Sequence, residues 1–279
     1  TKHNPLIPIT LTVFIDLIGV GIVIPVLALV ILDSDVNLIS ASASIETRNF
    51  LLGLLIGAYP FFQFFGAPIL GALSDRHGRK TLLMITVFGS LIGYLLFGIG
   101  ILTSNLPLVF LSRIISGFTG GNIAIAQSAI ADISEAKDKS KNFGLIGMSV
   151  GLGFILGPFL GGLVSNPEIV SWFGYETPFW LAAFFCGINL LSVYLFLPET
   201  LHSKRLSPIR FLSGFFNIRK AFTMKNLRIL FLTLFFLNFG FHFFTSFLQV
   251  YLFEKFAMTQ TQIGNFFAYM GVWIALSQG

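Results

Sequence analysis

Two full charges sit inside stretches that are otherwise apolar. Asp16 lies within residues 6–32 and Arg113 within residues 107–131. A carboxylate in such a place can take up and release a proton. An ionised Asp at the centre of a bilayer costs roughly 2.5–3.5 kcal/mol on insertion scales. Asp16 is about ten residues, or roughly 15 Å, from one end of its stretch. It therefore faces a wet cavity or a partner, or stays protonated. Proton carriage is the chemistry this suggests. The alternative is a structural carboxylate capping irregular backbone near Gly19, Gly21 and Pro25. Arg113 either snorkels outward or turns inward, and an offset in depth of about 7 Å from Asp16 permits direct pairing without requiring it.

Other polar groups lie inside the apolar stretches. Asn122 and Gln127 continue the polar content of the Arg113 stretch, and Tyr59 and Gln63 are four residues apart. Asn238, His242, Thr245 and Gln249 form a stripe at helical spacing. These are candidate substrate contacts, although hydrogen bonding between helices accounts for many such residues. His242 reads better as a packing residue than as a proton relay. The aromatic run of Tyr59, Phe61, Phe62, Phe64 and Phe65 could pack a planar compound. Glycines supply a second pattern. Gly147–Gly151 and Gly153–Gly157–Gly161, with Gly162, line up as two strips for close helix packing. Pro158 removes a backbone hydrogen bond and invites a kink, where a gate could pivot.

The elements that must position these residues are membrane helices. Hydrophobic residues make up 55% of the 279 positions, charged residues only 10%, and Phe occurs 34 times. A soluble domain carries roughly 25% charged residues, so lipid is the expected solvent. A span needs about 20 apolar residues. Eight are expected, at 6–32, 50–73, 81–103, 107–131, 142–164, 179–197, 226–252 and 261–279. The first is too long for a signal-peptide core and carries Asp16. With these spans, fourteen of the seventeen Lys and Arg residues fall on one face. They are Lys2, Arg76, Arg79, Lys80, Lys137, Lys139, Lys141, Lys204, Arg205, Arg210, Arg219, Lys220, Lys225 and Arg228. The other face has Arg48 and Lys255 beside Asp33, Asp35, Glu46, Glu168, Glu176 and Glu254. The positive-inside rule makes the base-rich face cytoplasmic. This puts the N-terminus, the loops after spans two and four and the central linker in the cytoplasm of a multi-pass plasma-membrane protein.

The expected organisation is a six-helix bundle over 1–197, a linker over 198–225, and the first two helices of a second bundle over 226–279. The linker alternates bases with Phe211, Leu212, Phe215 and Phe216 and reads in part as an amphipathic surface helix. The chain is read as a fragment. Its net charge of +5 sits at helix ends rather than on a soluble basic face, which argues against nucleic acid. Cys186 stands alone, so disulfide scaffolds and Cys-based zinc sites are excluded. His3, His77, His202 and His242 are scattered, and no nucleophile, metal set or paired acid and base emerges. An enzyme is not expected.

Residues 71–80, Gly-Ala-Leu-Ser-Asp-Arg-His-Gly-Arg-Lys, join spans two and three through a loop of about seven residues. So short a turn must hold its shape by its own hydrogen bonds and ion pairs. Gly71, Asp75, Arg76, Gly78, Arg79 and Lys80 resemble the loop motif G-x-x-x-D-R-x-G-R-[RK] of the major facilitator superfamily. Leu111-Ser-Arg113-Ile-Ile-Ser-Gly117 is similar to its span-four motif. Gly147, Gly151, Gly157, Pro158, Gly161 and Gly162 resemble the span-five antiporter motif of its drug:proton exchangers. Asp16 with Gly19, Gly21, Pro25 and Val26 resembles the span-one motif of that twelve-helix group. Within it, the tetracycline efflux proteins are most alike, through Ala58-Tyr59, Gln63, Ala67-Pro68, Ile130-Ala131-Asp132-Ile133, Leu197-Pro198-Glu199 and Ile263-Gly264.

The resemblance implies an all-α integral membrane fold of two six-helix halves that expose a central site alternately to either side. It implies that Asp75 gates the interface between halves, that Arg79 pairs with Asp132, and that Asp16 and Arg113 face the cavity. Two stretches depart from the tetracycline pattern: Gly89-Ser-Leu-Ile-Gly93-Tyr94 has no carboxylate, and Asn238-Phe-Gly-Phe-His242 is more aromatic. The function expected is proton-coupled export of an amphipathic drug, tetracycline-like or multidrug. Uptake of a sugar or other nutrient on the same fold is the alternative, and a non-transporting scaffold leaves Asp16 and Arg113 unexplained. No cofactor is expected beyond the proton as coupling ion. The expected partners are the bilayer, a small-molecule substrate and protons, with a monomer favoured.

Overall fold

The computed structural model describes residues 5–32, 36–40, 42–201, 203, 211–224 and 227–278, with the side chains of Gln260 and 274–278 left undescribed. Lys2, His3, Asp33, Asp35, His202, Lys204, Arg205, Pro208, Arg210 and Lys225 therefore lie outside the described residues. The described residues form ten helices joined by loops: α1 (Leu6–Leu32), α2 (Ile45–His77), α3 (Arg79–Leu102), α4 (Leu106–Thr119), α5 (Asn122–Ile133), α6 (Lys139–Val164), α7 (Thr177–Phe196), α8 (Ser213–Thr223), α9 (Arg228–Phe256) and α10 (Gln260–Gln278). Seven helical segments among the described residues are long and apolar enough to cross a membrane, counting α4 and α5 as one crossing. The eighth expected stretch forms α10.

Helix ends follow local chemistry. Ser44 Oγ accepts from Thr47 N–H at 3.3 Å and caps α2. Asn105 Oδ1 accepts from Leu108 N–H at 3.0 Å and caps α4, with Pro107 in the first turn. Arg48, one of the two bases on the base-poor side, is buried. Its Nη1 donates to Ile31 O at 3.0 Å and its Nη2 to Ser40 O at 3.2 Å, so it satisfies the carbonyl end of α1.

α1 is the central helix. In its most apolar window 83% of residues are buried, against 6% for α9. It meets α6 backbone to backbone. A Cβ on Gly157 would lie 2.7 Å from Gly21 Cα, and one on Gly153 would lie 3.0 Å from Phe14 O. Gly161 faces Ile22 in the same way. Only one of the two expected glycine strips is packed like this. No described atom lies within 4 Å of a Cβ placed on Gly147 or Gly151. Gly151 and Gly153 are two residues apart, which on a helix is about 200° of rotation, so the strips point to opposite sides. α10 packs on α6 through Gly264 against Pro158 O and Gly162. Thr261 Oγ1 donates to Gly162 O at 3.1 Å, and Asn166 Nδ2 to Thr261 Oγ1 at 3.1 Å. α6 runs through Pro158 as one helix.

Two apolar clusters fill the bundle. One gathers Ile22, Val26, Leu55, Phe97, Val109 and Phe179 toward the base-poor end. The other gathers Val13, Leu70, Leu83, Ile125, Ala129 and Ile146 toward the base-rich end. Asp16, Ser116 and Asn122 fall between them in the chain. Part of the linker forms α8, whose Phe216, Ile218 and Phe222 are exposed, while two linker phenylalanines meet α2. Phe211 stacks on Phe65 of α2 at 4.8 Å, and Phe215 meets Phe64 edge-on at 5.0 Å. The expected drug-packing aromatics are thus partly covered by α8.

Candidate functional site

The Arg113 stretch, expected as one helix, is broken. α4 ends at Thr119 and α5 begins at Asn122. Two consecutive glycines fill the gap, each roughly 1 kcal/mol poorer than Ala in a helix. Packing exploits them: a Cβ on Gly120 would lie 2.7 Å from Tyr59 Oη, and one on Gly121 would lie 3.2 Å from Leu70. Gln63 Nε2 donates to Gly120 O, a carbonyl at the break. Tyr59 and Gln63, expected to share a face of α2, do so, and both clamp the break.

Asn122, the first residue of α5, donates from Nδ2 to Asp16 Oδ1 at 3.0 Å. Both side chains are buried, at 1% and 8% exposure. Asn122 Oδ1 and Ser116 Oγ have no hydrogen-bond partner among the described residues. Tyr94 rests its hydroxyl on Gly19, one turn along from Asp16. Gln127 is exposed on the other side of α5.

Arg113 turns inward rather than snorkelling. It is 6% exposed, and its guanidinium carbon stands 4.4 Å from the Phe97 ring centroid. Phe97 in turn stacks on Phe179 at 4.0 Å. Arg113 Nε and Nη2 have no hydrogen-bond partner among the described residues. No ion pair joins it to Asp16 among the described residues, so the direct pairing left open by helix rise is absent. On α9 the polar stripe divides. Asn238 and His242 are exposed, and Asn238 Nδ2 bonds back to Leu234 O at 2.7 Å. Thr245 and Gln249 are buried, with Gln249 Oε1 unpartnered among the described residues. Among the described residues no three His, Cys, Asp or Glu side chains gather as a metal site would need.

Residues 71–80 make a tighter structure than a seven-residue loop. α2 runs to His77, α3 starts at Arg79, and Gly78 alone lies between. Gly78 has φ +105° and ψ 149°, backbone that essentially only glycine adopts. Arg79 sits at the centre of the network. Its Nη2 pairs with Asp75 Oδ1 at 2.6 Å, its Nε with Asp132 Oδ2 at 3.0 Å, and its Nη1 donates to Ser74 Oγ. Lys80 Nζ donates to Tyr194 O at 2.8 Å. Arg76 is half-buried, and a Cβ on Gly71 would meet no described atom within 4 Å.

One member of this network has no role in the sequence reading. Glu199 Oε1 accepts from Arg79 N–H at 2.8 Å and from Leu201 N–H at 3.0 Å. It caps the start of α3 and lies over Gly78. An acid directly after a helix-ending Pro198 is a visible signal, but its partner is 120 residues away, beyond the reach of spacing rules.

The Major Facilitator Superfamily profile matches residues 9–279. The class C tetracycline resistance protein of Escherichia coli is 32% identical over 99% of this chain and 66% of its own length. Major facilitator superfamily domain-containing protein 10 of Mus musculus is 32% identical over 83% of this chain and 53% of its own length. This chain therefore spans about two thirds or less of these relatives. Among solved structures, the human organic anion transporter MFSD10 (TETRAN) superposes with a TM-score of 0.71 at 23% identity, covering 96% of this chain and 69% of that one. The D-xylose-proton symporter superposes at 0.67 and 16% identity, covering 96% and 66%. A bundle of membrane-crossing helices, a charge network at the α2–α3 turn and a profile match over nearly all residues together show that this chain belongs to the Major Facilitator Superfamily of membrane transporters.

Proposed function

We propose that this transporter exports an amphipathic organic compound in exchange for protons, with Asp16 as a proton-carrying group. The single observation that carries the reading is Asp16 itself, a buried carboxylate on the central helix whose hydrogen-bond donor is a neutral amide rather than a cation. A carboxylate held this way can alternate between charged and neutral forms without breaking an ion pair. Burial makes that change large in energy, so it can drive a conformational equilibrium. The names of the relatives support an organic substrate: tetracycline resistance proteins on one side and, for human MFSD10, an organic anion transporter on the other. Arg79, Asp75 and Asp132 act in this reading as a cytoplasmic latch that opens and closes as the site changes sides.

The test is Asp16→Asn in the intact protein, in everted membrane vesicles given an imposed pH gradient. Proton-driven accumulation of drug should fall to the gradient-free background while drug still binds. Antiport at the parent rate would remove Asp16 from the mechanism. Measuring transport in right-side-out and inverted vesicles separates export from uptake.

A further inference from the structure

α5 is a short rod with a polar contact at each end. At its start, Asn122 Nδ2 donates to Asp16. Ten residues on, roughly 15 Å along the axis, Asp132 accepts from Arg79 Nε at 3.0 Å. The Gly120–Gly121 break interrupts the helix between α4 and α5, and α4 is held to α2 by close approach of Gly117 to Tyr59 O and of Gly66 to Phe118 O.

We infer that α5 transmits the protonation state of Asp16 to the Arg79 latch, with Asn122 as the positioning residue that couples them. This rests on the proposed role of Asp16. The chemistry lies in the amide. An ionised Asp16 only accepts hydrogen bonds, and Asn122 Nδ2 supplies one. A protonated Asp16 has an O–H to donate and needs an acceptor. Asn122 Oδ1 is an acceptor already in place, buried and without a partner among the described residues. Gaining the proton thus adds a second Asn122 contact, from the Asp16 O–H to Asn122 Oδ1, beside the one from Nδ2. Making that contact draws the amide and the start of α5 toward Asp16, and Asp132 moves with the rod. The titratable groups facing Asp16 are Tyr59 on α2, Tyr94 on α3 and Cys186 on α7. Arg113 on α4 faces the same two tyrosines. Among the described residues no hydrogen bond joins these groups to α5, and Asn122 supplies the side-chain bond between Asp16 and that helix.

The experiment uses the intact protein in lipid nanodiscs, with Cys186→Ser and spin labels on His77→Cys and Lys137→Cys, exposed positions at the ends of α2 and of the α5–α6 loop. The distance distribution between the labels is measured at acid and neutral pH. The parent should shift between two distances. Asn122→Ala and Asn122→Val should give one distribution at both pH values, as should Asp16→Asn. A shift that survives Asn122→Ala or Asn122→Val while Asp16→Asn abolishes it overturns the coupling role of Asn122 and leaves Asp16 in place. A shift that survives Asp16→Asn overturns the proton-carrying reading. Should neither apolar variant fold, the exchange Asp16→Asn/Asn122→Asp keeps the bond with the carboxylate on α5 and should retain the shift. A flat response from that folded pair also overturns the inference.

Discussion

The turn at 71–80 and the centre of the bundle hold the same kinds of groups in opposite conditions. At the turn, each nitrogen of the Arg79 guanidinium has an oxygen partner: Asp75, Asp132 and Ser74. The two carboxylates keep about a quarter of their side-chain surface exposed, at 27% and 26%. At the centre, Arg113 leaves two nitrogens without a hydrogen-bond partner among the described residues and rests on a phenylalanine ring. A satisfied network fixes one geometry, because every change breaks bonds. An under-satisfied group lowers its energy by finding a partner elsewhere, and so favours change. Substitution therefore breaks more bonds at the turn than at the centre.

Substitutions that remove the charge should therefore differ in cost at the two places. The largest loss is expected from Arg79→Met, which leaves Asp75 and Asp132 close together without their cation. Destabilisation of about 2 kcal/mol follows, less than for a fully buried pair because the carboxylates are partly solvated. Thermal unfolding in detergent measures it, and added salt should shrink the difference from the parent. Gly78→Ala comes next, at about 1–2 kcal/mol for placing a Cβ at φ +105° and displacing the Glu199 carboxylate. Glu199→Ala removes the cap on α3 and should lower stability by about 1 kcal/mol. The smallest effect is expected from Arg113→Met. Exchanging a poorly paired buried cation for an apolar side chain of similar length should change unfolding stability by less than about 1 kcal/mol in either direction. Transport by that variant should nonetheless fail. If Arg113→Met unfolds as readily as Arg79→Met, the contrast between the two places collapses.

Much of this was legible in the chain. Apolar runs of bilayer length and the one-sided distribution of Lys and Arg predict the helices and their alternation. Asp16 and Arg113 stand out because charge is expensive in lipid. The pairing of Arg79 with Asp132 was implied by the resemblance and is present. The glycine strips show where such reading stops. Spacing identifies Gly153, Gly157 and Gly161 as one face and Gly147 and Gly151 as another, but not which face meets α1. The Gly120–Gly121 pair was visible too, yet glycines are common in membrane helices, and their presence alone does not break one. The break follows from Tyr59 and Gln63 crowding against it from α2.

Composition and periodicity thus determined by themselves the solvent of this protein, the approximate positions of its long apolar helices and the places where charge had to be explained. Both signals are local: burial of apolar side chains acts residue by residue, and a helix closes its own hydrogen bonds within four residues. Tertiary structure decided which polar groups meet. Asp16 received an amide rather than Arg113, Arg79 received Glu199 at its backbone as well as Asp132 at its side chain, and the first glycine strip was left unpacked by the described residues. Those contacts join residues about 50 to 120 positions apart, and their geometry depends on how closely two helix backbones can approach. No local pattern carries that distance.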